Sequence, residues 1–160
     1  TVAIENSTGE VVAIGGGRNY NGQRLFNFAT QMKKQPGSSI KPVLEYALAF
    51  EHLGFTTGMY VNDFPIYYPG SRVKVNNWSR SYMGQISLQI AISYSQNVPA
   101  IVTLRQVESA IGIDKIIKYM NDIGFKWVNK DNYSTQLGIG GASFQTSPLE
   151  MASAYQMLFM

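Results

Sequence analysis

The first stretch of the chain alternates between hydrophobic and polar positions. Val2 and Ile4 have polar neighbours, Gly9 follows a turn-like Asn-Ser-Thr run, and residues 11–14 form a second apolar stretch. Two short apolar runs joined by a turn with a glycine are typical of a β-hairpin. Residues 1–17 are therefore predicted to form a hairpin, which the triple glycine at its end terminates.

The central part of the chain has a helical pattern. Over residues 38–54 the apolar positions recur with a period of about 3.6 residues, and the closing glycine is a typical helix terminator. Two further helices are predicted over residues 99–112 and 114–124, the second with Asp114 as its N-cap. The middle of the molecule is therefore predicted to be mainly helical.

Two segments have less regular patterns. Residues 56–84 carry many glycines, prolines, asparagines and aromatic residues, and they are predicted to form a long irregular loop region. Residues 85–97, "QISLQIAISYSQN", fit a strand because isoleucine and leucine alternate, and they also fit a helix with Ser87 as its N-cap. Pattern alone slightly favours the strand.

The last segment begins with strong helix signals. Ser147 suits the N-cap, Pro148 suits the first helical position, and Glu150 completes a capping box. The apolar stripe of this helix runs to the last residues without a C-cap, and the chain opens directly on strand-like alternation. We expect residues 1–160 to be part of one longer domain with an α+β fold.

Composition narrows the classes of function. The chain is 45% hydrophobic and 14% charged, as in globular proteins, and its net charge of +3 is too small and scattered to indicate a nucleic-acid partner. No cysteine is present, which excludes disulfides and thiol chemistry, and the single histidine, His52, has no ligand-type residue at metal-site spacing. No apolar run approaches the ~18 residues of a membrane span.

Two serine–lysine pairs stand three residues apart, Ser38 with Lys41 and Ser71 with Lys74. A serine hydroxyl needs a base to become a nucleophile, and a lysine can be that base when burial lowers its pKa. The first pair opens a helical run, where both side chains share a face near backbone N–H groups that favour an oxyanion. The second pair stands in a turn-rich stretch and is interpreted as surface loop. For the first pair, pattern alone leaves a helix cap with a solvated lysine as an equal alternative.

Ser95 and Asn97 form a Ser-x-Asn motif, which occurs once in the chain. A hydroxyl and an amide two residues apart can relay a proton and hold a substrate amide beside a nucleophile. Taken alone, the motif is better interpreted as a helix cap before Pro99.

The motifs together resemble a known family. "QPGSSIKP" followed by "SQNVPA" resembles the transpeptidase domain of class A penicillin-binding proteins, the two-headed peptidoglycan synthases, and Ser-x-x-Lys is a motif of penicillin-binding proteins and β-lactamases. Other stretches resemble the same domain, namely "VAIENSTGEVVAIGGGRNY", "LFNFAT", "KKQPGSSIKPVLEYALAFEHLG", "YMGQISLQIAISYSQNVPAI" and "LGIGGASFQTSPLEMASAYQML". The resemblance implies a penicillin-binding protein or serine β-lactamase-like fold, an antiparallel sheet with a mainly helical region. It also implies a helix, not a strand, over residues 86–95.

The resemblance also implies a role for each motif residue. Ser38 would be the acylated nucleophile and Lys41 its base, while Ser95 would relay protons and Asn97 would face Lys41 and the substrate amide. The implied reaction is D,D-transpeptidation of peptidoglycan stem peptides ending in D-Ala-D-Ala, with β-lactams acylating the same serine and with no metal or organic cofactor. A glycosyltransferase domain and a membrane anchor would belong to the full-length chain, at the extracytoplasmic face of a bacterial membrane.

One departure from the family pattern concerns its third motif, Lys-Thr/Ser-Gly, which is absent from residues 1–160. In the family this strand supplies the second oxyanion N–H group, so it is expected to follow Met160. Residues 1–160 alone are therefore expected to be inactive, because one oxyanion donor is worth ~10²–10³ in rate.

Three alternatives remain beside the transpeptidase. A serine β-lactamase or β-lactam sensor of the same fold would add a deacylation base, but no Ser-Asp-Asn and no obvious deacylating glutamate are present. A catalytically silent penicillin-binding-like scaffold is the second alternative, and the intact motifs argue against it. An unrelated binding domain with chance motifs is the third, and the length of the match argues against that.

Overall fold

The structure is a computed structural model that describes residues 1–18, 21–22, 25–141 and 143–159. Its strands are β1 (Val2–Ile4), β2 (Val11–Ile14), β3 (Tyr60–Asp63) and β4 (Gly84–Ser87). Its α-helices are α1 (Glu45–Leu53), α2 (Leu88–Ser93), α3 (Asn97–Ile111), α4 (Ile113–Asp122) and α5 (Pro148–Gln156). Three 3₁₀ helices cover Gly37–Val43, Thr135–Ile139 and Met157–Phe159.

The predicted N-terminal hairpin is confirmed. β1 and β2 pair antiparallel with Val2 opposite Ile14, and Gly9 has the positive φ of +77° that its turn requires. The second sheet joins β3 to β4, also antiparallel, with Asp63 opposite Gly84. β3 lies inside the segment predicted to be irregular loop, so that prediction was wrong for Tyr60–Asp63. Only Val61 and Asp63 of this strand are buried, and so short an alternation is easily missed.

The ambiguous segment before the Ser-x-Asn motif contains both predicted structures. The chain is strand over Gly84–Ser87 and α-helix over Leu88–Ser93. Ser87 separates the two, because its Oγ accepts a hydrogen bond from the backbone N–H of Ile90 at 3.3 Å and so caps the helix. The strand prediction was therefore wrong after Ser87, and the helix implied for 86–95 covers only 88–93.

The helix predicted from Ser38 is two helices. The 3₁₀ helix Gly37–Val43 comes first, and α1 follows and ends before Gly54, whose φ is +63° as a helix-terminating glycine requires. Pro42 lies inside the 3₁₀ helix. A proline has no N–H group to donate, so it favours a break between the two helices.

The later helices follow the predicted bounds closely. α3 begins at Asn97 rather than Pro99 and ends before Gly112 as predicted, and Gly112 is also the N-cap of α4. Asp114 was wrongly predicted as that cap; it lies in the first turn instead. The predicted capping box of α5 is confirmed, with Ser147 Oγ accepting from Glu150 N at 3.2 Å. Met160, up to which the apolar stripe was predicted to continue, lies outside the described residues.

The main core lies where α1 and α3 pack on each other and on the segment after α4. Phe144 meets the rings of Phe125 and Trp127 edge-on, at centroid distances of 5.0 and 5.2 Å. Each fully buried large apolar side chain contributes about 1.5–3 kcal/mol. The buried members of this core are Ile40, Val43, Leu44, Leu48, Ala49, Leu104, Val107, Ile116, Met120, Phe125, Val128, Leu137, Phe144 and Ala154. Ile40 and Val43 of the 3₁₀ helix Gly37–Val43 share this core with Leu104 and Val107 of α3. The mixture of helices and antiparallel sheets is the predicted α+β class.

Candidate active site

Ser38 and Lys41 lie on the first 3₁₀ helix. Such a helix has about three residues per turn, so side chains three positions apart lie on the same side. The expectation that the two share a face therefore holds, although the helix is tighter than the predicted α-helix. The helix has Pro36 at its N-cap position and no side-chain cap, so the alternative interpretation of Ser38 as a helix cap was wrong. Ser38 is exposed, and no hydrogen bond of its hydroxyl is found within the described residues.

Lys41 is buried, with 2% of its surface exposed, so the alternative of a solvated lysine was wrong. Its Nζ donates to the carbonyl oxygen of Ser95 at 2.6 Å and to Asn97 Oδ1 at 2.7 Å. Ser95 Oγ at 3.2 Å and the carbonyl oxygen of Gln96 at 3.3 Å complete its surroundings. The fold therefore brings Lys41 together with both residues of the Ser-x-Asn motif, more than 50 positions away.

Ser95 has an unusual backbone conformation. Its φ of +51° lies in the left-handed region, which costs a residue other than glycine about 1 kcal/mol or more. The turn is held by backbone hydrogen bonds from Ser95 N to Ile92 O and from Gln96 N to Ala91 O, both 2.9 Å. This conformation places both the carbonyl oxygen and the hydroxyl of Ser95 against Lys41 Nζ.

The surroundings of Lys41 define its charge state. Burial lowers the pKa of the Lys41 ammonium to about 8, and the charge of the Glu45 carboxyl acts in the opposite direction. An ammonium has three N–H groups, and three of the four oxygens around it can only accept. The fourth, Ser95 Oγ, can also donate, so it can pass a proton to Lys41 once the amine is neutral. Lys41 is therefore mainly charged at neutral pH and becomes a free base near pH 8.

A buried pair of side chains outside the predicted motifs holds the start of α3. Asn77 Oδ1 accepts from the backbone N–H groups of Asn97 at 2.9 Å and Val98 at 3.1 Å. Its Nδ2 donates to Asp63 Oδ1 at 2.7 Å, and Asp63 is fully buried and also accepts from Met83 N at 2.9 Å. We call Asp63 and Asn77 the brace. Sequence reasoning missed both residues because they lie in the segment predicted to be loop.

Replacing Asn77 with alanine is expected to lower the free energy of unfolding by about 2–4 kcal/mol, since buried donors and acceptors would lose their partners. Thermal unfolding of the full-length protein measures this loss. The matched control is Asn76→Ala, because Asn76 is exposed and offers Asn97 only its backbone carbonyl. A loss no larger than that of the control would contradict the brace.

Glycines allow a second segment to approach the Ser38 helix. A Cβ atom on Gly140 would lie 2.3 Å from the carbonyl oxygen of Gly37, and Gly140 has a φ of +60°. The backbone after the 3₁₀ helix Thr135–Ile139 therefore touches the residue just before Ser38. Only glycine leaves room for this contact.

The second serine–lysine pair lies in a surface loop, as predicted. Ser71 and Lys74 are both exposed; Ser71 Oγ accepts from the backbone N–H of Val73 at 3.0 Å, and Lys74 Nζ lies 5.0 Å from the ring centroid of Tyr82. Across the ranges that the structure describes, no cluster of three metal-ligating side chains occurs. Within the same ranges, no helix combines the length and the hydropathy that crossing a bilayer demands.

Sequence comparison relates the chain to penicillin-binding proteins. The family model of the penicillin binding protein transpeptidase domain matches residues 1–160. Penicillin-binding protein 1A/1B of Bacillus subtilis is 37% identical over 156 residues, which cover 95% of this chain and 16% of the relative. Penicillin-binding protein 1A of Haemophilus influenzae is 38% identical over 159 residues, covering 96% of this chain and 17% of the relative. The chain thus spans about a sixth of the length of these two relatives.

Solved structures agree with the sequence comparison. The crystal structure of penicillin-binding protein 1A from Haemophilus influenzae superposes with a TM-score of 0.76 at 34% identity, covering 98% of this chain and 22% of that one. PonA1 of Mycobacterium tuberculosis, solved in complex with penicillin V, gives a TM-score of 0.76 at 26% identity over 98% of this chain and 42% of that one. The α+β fold is thus that of penicillin-binding transpeptidase domains, and the chain belongs to the penicillin-binding protein transpeptidase family.

Proposed function

We propose that this chain carries the nucleophile of a D,D-transpeptidase that cross-links peptidoglycan stem peptides, and that β-lactams acylate the same serine. The observation that carries the proposal is the burial of Lys41 among Ser95, Gln96 and Asn97, beside an exposed Ser38 on the same face of its helix. A buried lysine with a pKa near 8 is a competent general base close to neutral pH.

The proposed acylation uses Ser38 as nucleophile and Lys41 as base. Ser38 Oγ attacks the carbonyl carbon of the penultimate D-alanine, and its proton passes to the neutral amine of Lys41. The C–N bond to the terminal D-alanine then breaks, and the departing amine receives that proton through Ser95 Oγ. This leaves an ester between Ser38 and the donor stem peptide.

Transfer of the acyl group to a second stem peptide completes the reaction. An acceptor amine attacks the ester carbonyl, the new amide bond forms, and the C–O bond to Ser38 breaks. A proton from the amine passes through Lys41 and returns to Ser38 Oγ, so no metal or organic cofactor takes part. Asn97, which contacts Lys41 through Oδ1, would present its side-chain amide to the substrate backbone.

The proposal extends to the rest of the protein. Residues 1–160 would be part of one transpeptidase domain whose Lys-Thr/Ser-Gly strand completes the oxyanion site. Because the chain is similar to penicillin-binding proteins 1A and 1A/1B, we also propose a glycosyltransferase domain and a membrane anchor in the full-length protein. The active site would then face the extracytoplasmic side of the membrane, where the stem peptides are.

The test is product analysis with the full-length protein, a donor peptide ending in D-Ala-D-Ala and an acceptor peptide with a free amine. The expected result is release of D-alanine together with an equal amount of cross-linked peptide, and a benzylpenicillin acyl-enzyme that outlasts the assay. Rapid hydrolysis of benzylpenicillin would indicate a β-lactamase instead. The absence of both D-alanine release and penicillin acylation would indicate a silent scaffold.

A further inference from the structure

A buried carboxyl group lies next to the proposed base. Glu45 is the first residue of α1, four positions after Lys41, and none of its surface is exposed. Neither Oε1 nor Oε2 has a hydrogen-bond partner within the described residues. A buried carboxyl without partners destabilises a fold, so its presence in the core beside Lys41 needs a physical explanation.

The segment around Gly138 packs closely against this carboxyl. A Cβ atom on Gly138, in the 3₁₀ helix Thr135–Ile139, would lie 3.3 Å from Glu45 Oε2 and 2.8 Å from Leu104 Cδ2 of α3. Only the glycine leaves space for the carboxyl between these two helices. The site therefore holds a fully buried carboxyl in a closely packed space.

Lys41 is the cation whose charge acts on Glu45, and the effect is mutual. The other titratable groups that sense Glu45 are the phenols of Tyr46, next to it in α1, and Tyr133, before the second 3₁₀ helix. Tyr133 donates its hydroxyl proton to Glu108 Oε1 of α3 at 2.8 Å. Both phenols stay neutral across the working pH range because burial raises their pKa.

Burial acts on the two groups in opposite directions. It raises the pKa of the Glu45 carboxyl well above its ordinary value and lowers that of the Lys41 ammonium, while the charge of each group favours the ionised form of the other. An ionised carboxyl favours the ammonium form of Lys41, and a protonated carboxyl leaves the ammonium without a counter-charge.

We propose that Glu45 is a positioning residue of this site: the charge of its buried carboxyl decides whether Lys41 keeps its own proton or is free to accept that of Ser38. The inference rests on the proposed function, since it requires Lys41 to act as the base. It differs from the roles of Ser95 and Asn97 because Glu45 makes no hydrogen bond with the Lys41 amine within the described residues, so it acts through its charge.

The test is the pH dependence of acylation of the full-length protein by a fluorescent penicillin. The wild-type rate is expected to rise with pH through about 8 as Lys41 loses its proton. In Glu45→Gln and Glu45→Met the midpoint of this pH profile is expected to move down by about one pH unit. Well below the midpoint, the rate of each variant as a fraction of its own alkaline plateau is then expected to be about tenfold higher than the same fraction in the wild type. Glu45→Asp keeps a carboxyl and is expected to retain a midpoint close to that of the wild type.

The matched control is Glu51→Gln, which removes an exposed carboxyl from the same helix and is expected to leave the midpoint unchanged. A lower rate at every pH with an unmoved midpoint in both Glu45→Gln and Glu45→Met would show a merely structural role and overturn the inference. Such a result would leave the proposed function intact, whereas failure of penicillin to acylate the wild type would overturn both.

Thermal unfolding gives a readout that does not depend on activity. Because the pKa of Glu45 is raised in the folded state, its stabilising contribution is present below about pH 4.5 and is lost as the pH rises through the folded-state value. The unfolding temperature of Glu45→Met is therefore expected to increase relative to the wild type as the pH rises above about 4.5. A difference that does not change with pH would contradict the buried, titrating carboxyl.

Discussion

Replacing Lys41 with methionine is expected to reduce the rate of β-lactam acylation by ~10²–10⁴-fold, the usual contribution of a general base. Methionine fills a similar volume but cannot accept the Ser38 proton. The remaining rate is expected to lose its rise near pH 8, because that rise comes from deprotonation of Lys41. The measurement is the second-order rate constant for a fluorescent penicillin with the full-length protein, recorded from acidic to alkaline pH.

The chain offers a matched control for this substitution. Lys74 stands three residues after Ser71, so Lys74→Met makes the same chemical change in the second Ser-x-x-Lys pair, which lies on an exposed loop. Its acylation rate is expected to equal that of the wild type. A Lys41→Met protein that reacts as fast as the control would mean that another group takes the Ser38 proton.

Replacing Gly140 with alanine is expected to lower the free energy of unfolding by about 3 kcal/mol or more, through overlap and left-handed strain together. The added methyl group would lie 2.3 Å from Gly37 O and 2.5 Å from Gly37 N, both backbone atoms that cannot turn away. The helix that carries Ser38 must therefore shift, and acylation is expected to slow as well. Thermal or denaturant unfolding measures the first effect.

Gly54 provides the control for Gly140. It also has a left-handed backbone, with φ at +63°, but a Cβ there would meet no atom within 4 Å. Gly54→Ala is expected to cost only the left-handed strain, about 1–2 kcal/mol. If the two alanine variants lose the same stability, the contact between Gly140 and the Ser38 helix carries no energetic weight.

These expectations agree on how the fold builds the site. The 3₁₀ helix that carries Ser38 is packed into the main core. The left-handed turn at Ser95 brings that residue to Lys41, and the brace fixes the start of α3. Each support comes from a different part of the chain. The site is therefore formed by tertiary contacts, and its geometry depends on packing between segments that are far apart in sequence.

The parts of the fold that sequence predicted best are those governed by local chemistry. The hairpin around Gly9 and the capping box of Ser147 and Glu150 depend on residues a few positions apart, and both are confirmed. The end of α3 at Gly112 is likewise a local matter of glycine permitting a positive φ. Local rules were less reliable at Asp114, since Gly112 takes the N-cap position that Asp114 was predicted to fill.

Sequence could not predict the features that arise from long-range contacts. β3 is a strand because it pairs with β4, which lies more than 20 residues further along the chain. The hydrophobic pattern of β3 itself is too short to predict a strand. The burial of Glu45 depends on the space that Gly138 leaves, and the role of Asn77 depends on the position of α3. An asparagine in a loop and a glutamate at a helix start normally indicate solvent exposure.

The candidate residues themselves came from spacing and resemblance, and the structure adds their arrangement. Spacing placed Ser38 and Lys41 on one face, and the 3₁₀ helix does so. That Lys41 contacts both members of the Ser-x-Asn motif has no signal in spacing, since the motifs lie 54 to 56 positions apart. The catalytic roles of all four residues stay predictions.

The most direct test of the central claim is intact-mass analysis of the full-length protein after penicillin, followed by peptide mapping. One penicilloyl group per protein is expected, on the peptide that contains Ser38, and Ser38→Ala is expected to carry none. Ser71→Ala, the equivalent change in the loop pair, is expected to be acylated like the wild type. An adduct that survives Ser38→Ala, or maps to another peptide, would contradict Ser38 as the nucleophile.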